Sequence, residues 1–185
     1  MKKVTMLTLA LCLMAAVAAG CALVDAAQNP TPDPAEVVDP TPPQEPARET
    51  ATVVLYFADS QAAKVEAETR EIVIEGTLAE TIVNELINGP QSEDLFATLP
   101  EGTALLDLVI EDGIAYVDFS KELKTNHWGG SAGELMTVQS IVATLCQLDE
   151  VDSVQLLLEG EKEEAIFGHG CTAEPIEPDP NFIAS

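Results

Sequence analysis

The segment from Leu105 to Phe119 constrains the fold more than any other. It reads Leu-Leu-Asp-Leu-Val-Ile-Glu, then Asp112-Gly113, then Ile-Ala-Tyr-Val-Asp-Phe. Two apolar, β-branched runs around Asp-Gly predict a hairpin with a two-residue type I′ turn, since both central positions need positive φ. The turn sets the register. Ile110 then faces Ala115, Leu108 faces Val117 and Leu106 faces Phe119, and all six share one side of the sheet. Asp107, Val109, Tyr116 and Asp118 take the other, more polar side. A two-stranded ribbon with one apolar face is marginal in water, so other segments must cover it.

Two segments have helical spacing. From Gly129 to Leu148, apolar residues fall at Leu135, Val138, Ile141, Val142, Leu145 and Leu148, which predicts a helix with one apolar face. Ser131 and Glu134 have the S-x-x-E spacing of a capping box at its start. Thr77-Leu-Ala-Glu80 repeats that spacing ahead of Leu78, Ile82, Val83, Leu86 and Ile87, and Asn88-Gly89-Pro90 stops the second helix. Residues 51–57 read as a first strand, and Val65 to Ile74 contains a second that forms an edge hairpin with it. Ser120 to Trp128 is a connection, and Val151 to Leu158 is a last long strand. Glu159-Gly160 turn the chain into a short antiparallel strand at 163–167. The acidic, proline-bearing residues 175–185 read as a disordered tail. The order β(β)-α-β-β-α-β(β) implies an α+β domain over 51–174. It has a small, antiparallel-rich mixed sheet with two amphipathic helices on one face, close to the split βαβ type.

The first 20 residues have a basic start, Lys2-Lys3, and an apolar run from Val4 to Ala19, the pattern of a secretory signal peptide. The run ends Ala18-Ala19-Gly20-Cys21, which resembles the lipobox of bacterial lipoproteins, with alanine at 18 where leucine is usual. The resemblance implies cleavage after Gly20 and a diacylglyceryl thioether on Cys21. Two or three acyl chains exceed the single-chain threshold for stable membrane attachment. Residues 21–50 carry seven of the twelve prolines among acidic and small residues. They have no apolar period to pack, and at about 3.1 Å per residue in polyproline II they form a tether reaching on the order of 80 Å. The net charge of −24 opposes phosphate-tracking, so no nucleic-acid partner is expected.

The stretches Leu99-Pro-Glu-Gly-Thr103, Ala115-Tyr-Val-Asp-Phe-Ser120, Gly129-Gly-Ser-Ala-Gly-Glu134 and Val154-Gln-Leu-Leu-Leu-Glu-Gly160 occur in that order. Together with Asn88-Gly89-Pro90 they resemble the GerMN domain of sporulation and spore-germination lipoproteins. The resemblance implies an extracytoplasmic, membrane-anchored, non-catalytic module similar to ring-building domains. It would be attached through lipid on Cys21 and would associate with envelope proteins or with itself. The sporulation protein carries two such domains and this chain carries one. Where relatives often run Gly-Gly-His, this chain has Phe167-Gly-His-Gly-Cys171.

The only histidines are His127 and His169. With Glu134 or Asp118 they would make an acid–base or metal group, but their spacing fits no metal motif and no nucleophile elbow is present. Both therefore read as surface-loop residues, and no catalytic residue, metal or cofactor is expected. Trp128, Gly129, Gly130, Ser131 and Glu134 form the candidate partner or ligand loop. Bare N–H groups at a helix start can hold an anion, although a capping Glu134 competes for them. Trp128 reads as a core plug under the loop or as an exposed contact for a partner or glycan. Cys146 and Cys171 are candidate disulfide partners in an oxidising exterior, a closure worth roughly 3–3.5 kcal/mol in the chain-entropy model. Cys146 as a small buried apolar residue is the alternative. The reading that follows is a lipid-anchored assembly module of the cell envelope. The alternative is a cell-wall ligand sensor or a peptidoglycan-active enzyme.

Overall fold

The structure is a computed structural model that describes residues 48–184. The signal peptide, Cys21 and the proline-rich linker through residue 47 lie outside the described residues. The strands are β1 (Thr50–Ala58), β2 (Val65–Val73), β3 (Leu105–Glu111), β4 (Ile114–Phe119) and β5 (Ser153–Leu158). The helices are α1 (Leu78–Ile87), α2 (Glu122–Thr125) and α3 (Gly130–Leu145). The α+β class stands, with antiparallel and mixed pairing. The strands divide between two sheets, however: β1-β2, and β3-β4-β5 with β5 parallel to β4. A parallel neighbour needs a long crossover, which α2 and α3 supply.

The β3-β4 turn has φ of 50° at Asp112 and 81° at Gly113, both positive as type I′ requires. Leu108 faces Val117 and Ile110 faces Ala115, as the sequence predicts. Leu106 departs from its expected place. The register shifts between Leu105 and Asp107, so Leu105 faces Phe119 and Leu106 is turned outward, 52% exposed. One extra residue in a strand moves every earlier side chain to the other face. Ala115, Val117 and Phe119 on β4 join Val154, Leu156 and Leu158 on β5 in the main core.

α1 starts as its sequence predicts. The Thr77 hydroxyl accepts from the Glu80 N–H at 3.1 Å, and the Glu80 carboxylate accepts from the Thr77 N–H at 2.8 Å. Asn88 caps its end and Gly89 takes φ of 85°. α3 differs from the expected one-faced helix. It contacts β1, β2, β5 and α1, and every residue from Met136 to Leu145 is buried. Its polar side chains serve the outer edge of β1. Thr144 Oγ1 accepts from the Tyr56 N–H at 3.0 Å and Ser140 Oγ donates to the Tyr56 carbonyl, and just past the helix Gln147 Nε2 donates to the Val54 carbonyl. A helix fills the place a further strand would take, and the two sheets stay separate because of it.

Three further expectations need correction. The 120–128 connection contains α2, which buries Leu123. Residues 163–167 form no strand: the nearest pairing is a bridge from Glu161 to Leu158, and the Glu164 carbonyl accepts from the Thr172 N–H at 2.9 Å. The tail is ordered through residue 184. Ile176 and Val154 exchange backbone hydrogen bonds of 2.8 and 2.9 Å. Further on, the Val65 N–H donates to the Phe182 carbonyl at 2.8 Å and the Ala184 N–H to the Val65 carbonyl at 2.9 Å. Phe182 and Ile183 pack on Ala58, Val65, Met136 and Ala143, so the segment straps the third side of α3. The apolar residues of this tail outweigh its acidic composition.

Candidate functional site

The predicted loop is split by the start of α3. Trp128 lies on one side. Ser131 and Glu134 lie on the other, beside His169 and Cys171. Two glycines create the division. Gly129 takes φ of 93° as the helix N-cap, and a Cβ at Gly133 would collide with the Trp128 carbonyl oxygen. The first turn therefore closes directly over Trp128, with the Gly133 N–H donating to the Gly129 carbonyl at 3.1 Å. No side chain caps this end, so the Ser131–Glu134 pair is not a capping box. Ser131 lies inside the helix, one residue past its first position, and faces solvent.

Glu134 is instead a buried brace. Its carboxylate accepts from the Gly170 N–H and meets His169 Nδ1 at 3.0 Å. The Glu134 side chain is 5% exposed and that of His169 is 60% exposed. A buried carboxylate left without such partners would be costly, so this contact fixes the 168–172 loop on α3. His127 is not a surface residue either. Its Nε2 lies 3.1 Å from the Thr137 hydroxyl, and its ring packs on Phe167 at 4.4 Å between centroids. Burial pushes its pKa below the ordinary 6.5, against the opposing pull of Glu134 and a hydrogen bond to the Gly133 carbonyl. The two histidines do not meet, and among the described residues no group of three or more His, Cys, Asp or Glu is arranged to hold a metal.

Cys146 and Cys171 both carry free thiols, contrary to the disulfide expectation. Cys146 caps the far end of α3, whereas Cys171 borders a pocket with Ser131, Glu134 and Leu135 in its first half. The body of α3 stands between the two thiols, and no bond joins them. Burial, then Asp152 and Glu177, pushes the Cys146 thiol up to about 11, so it stays protonated at neutral pH.

On the other side, Trp128 is 51% exposed and walls a cleft of about 810 Å³. Ile87, Leu99, Asn88, Glu101 and Asn126 line it. Both banks are held by buried or polar contacts. On one, Arg70 donates to the Gly89 carbonyl at 3.0 Å and to the Glu85 carboxylate at 2.7 Å. Glu68, which also pairs with Arg70, accepts from the Gln91 and Ser92 N–H groups at 2.9 and 2.8 Å. Burial raises the Glu68 pKa, but these hydrogen bonds and Arg70 outweigh it and hold the group below the carboxylate norm. On the other bank, Asn126 Nδ2 donates to the Glu101 carbonyl at 2.9 Å. Phe96, 53% exposed, stands in a smaller hollow on the far side of Trp128. Its backbone is pinned to Ala58, with N–H···O distances of 3.0 and 3.2 Å. Phe96 was not anticipated from sequence. Its signal was a lone aromatic in a polar loop.

The sequence model of the family described as "Germane: Sporulation and spore germination" matches residues 54–164. The chain belongs to the Germane family. The match spans α1, α3 and all of β2 to β5, and stops before the strap. Solved structures agree with it. The tandem GerMN domains of the sporulation protein GerM from Bacillus subtilis share 27% identity with a TM-score of 0.58, over 71% of this chain and 46% of theirs. The first GerMN domain of the same protein gives 26% identity and a TM-score of 0.52, over 70% of this chain and 96% of that domain. A candidate lipoprotein from Clostridium perfringens gives 26% and 0.51, over 70% of this chain and 87% of its own. None of the curated proteins matches the sequence. The Germane domain here is thus a single GerMN-like unit, related to proteins of sporulation and germination.

Proposed function

We propose that this Germane-family protein is held outside the cytoplasmic membrane by lipid on Cys21 and acts there as a non-catalytic assembly module. Its partners are envelope proteins or further copies of itself. The observation that carries the reading is the family match across the domain, set behind the Ala18-Ala19-Gly20-Cys21 sequence and a proline-rich tether. The similarity to a candidate lipoprotein of C. perfringens supports the anchor. The outer edge of β3 supports the assembly role. Among the described residues no strand pairs with it, and Leu106 and Val109 stand 52% and 42% exposed there. An open edge with apolar side chains is a template for strand addition.

Fractionation tests the anchor: Cys21→Ala should move the protein from the membrane to the medium, and unchanged membrane retention would overturn it. Photo-crosslinking in cells tests the assembly role. A crosslinker at Val109 should give discrete adducts that Leu106→Glu removes. Adducts that persist in Leu106→Glu, or none at any β3 position, would count against this surface.

A further inference from the structure

The geometry points to the Trp128 cleft as a binding site for an uncharged glycan. This goes beyond the assembly reading and is tested independently of it. Trp128 is the only tryptophan in the chain, yet it is left half in water instead of filling the core. It is held there by backbone: Gly129 turns the chain at positive φ, and α3 closes over the Trp128 carbonyl. An indole carried on backbone held in that way presents a large contact area with only two side-chain torsions to order on binding.

The rest of the cleft has the mixed character sugars require. Ile87 and the exposed Ala97 give apolar surface for the C–H face of a ring, over the buried Leu99. Asn88 and Glu101 stand exposed at the rim, and their side chains engage no protein group among the described residues, leaving them free for hydroxyls. Asn126 is oriented by its bond to the Glu101 carbonyl and keeps a second amide hydrogen to donate. Among the described residues Glu101 is the only charged one lining the cleft, and none of them supplies a cation to hold a phosphate or carboxylate. A volume of about 810 Å³ falls in the range of small-ligand sites. Two amides flanking an indole suit vicinal hydroxyl and acetamido groups better than a basic peptide, which one carboxylate would meet alone.

Trp128 is its own reporter. The intact protein is titrated with chitotetraose, and with octalysine in parallel, while tryptophan emission is followed. The expected result is a saturable blue shift with chitotetraose that is the same at low and high salt, because the ligand is uncharged. By calorimetry, Asn88→Ala and Glu101→Ala each weaken binding about tenfold and Trp128→Ala abolishes it. All three positions are exposed, and unchanged circular dichroism verifies that each variant folds. No saturable response by roughly 10 mM chitotetraose overturns the proposal. So does a response to octalysine alone, which would assign the cleft to a basic protein segment.

Discussion

α1 and α3 carry the same spelling in their first turns, a hydroxyl residue followed three positions later by glutamate. In α1, Thr77 and Glu80 close on each other at the boundary, and the helix buries one face. In α3 the glycines move the boundary two residues upstream of Ser131. Ser131 is left in solvent, and Glu134 turns to His169 and Gly170. The helix bodies differ likewise. α3 lies between two sheets, so its polar residues face protein and must find partners there. A capping motif works only where the backbone begins the helix, and an amphipathic pattern faces water only where a side is left open.

Substitutions that treat the two helices alike should give unequal results. Ser140→Val should cost about 2–4 kcal/mol in denaturant unfolding. It strips the Tyr56 carbonyl and the Thr98 hydroxyl, 2.6 Å away, of their shared partner. A loss below about 0.5 kcal/mol would mean that α3 does not complete the β1 edge. Glu134→Ala should cost about 2 kcal/mol and speed amide exchange at Gly170, because the loop loses its buried acceptor. Thr77→Ala should cost about 1 kcal/mol. Glu80 is held below the ordinary 4.5 by bonds from Thr77, so its folded pKa lies under the unfolded one. Its contribution is therefore complete above 4.5 and fades as pH falls through the folded value, and the wild-type advantage over Thr77→Ala should shrink in acid.

A smaller effect involves His127. Burial lowers its pKa, so the folded domain favours the neutral ring. That stability is complete above 6.5, the ordinary value, and is lost as pH falls through the folded one. Melting temperatures between pH 7.5 and 5.5 should fall less in His127→Gln than in wild type. An equal fall would remove His127 as the source. Smallest of all, Ser131→Ala should lie within about 0.5 kcal/mol of wild type. A loss as large as that of Thr77→Ala would restore the cap that the structure denies.

What could be read from the sequence was what is decided locally. The Asp112-Gly113 turn, the Thr77 cap, the Asn88-Gly89 stop and the order of the five strands and two long helices all follow from residues a few positions apart. The two-sheet split does not, because it depends on Thr144 and Ser140 bonding to Tyr56 more than eighty positions away. Nothing distinguishes Leu105 from Leu106 as the inward residue, so the bulge was invisible. In the site, Trp128 stands in a cleft, and its exposed reading was one of two left open. Glu134 has a structural role, with partners 35 and 36 residues on. The spacing Gly129-x-x-x-Gly133 was the available sign that backbone would approach closely there.

The pairing of Val65 with Ile183 joins positions more than about a hundred residues apart. A nascent chain emerges from its N-terminal end, so β2 waits through the synthesis of β3 to β5 before Phe182 arrives to cover Met136 and Ala143. Until then a greasy strip of α3 stays open to chaperones and proteases. Closing this strap is thus a step that β1 to β5 and the three helices cannot complete among themselves.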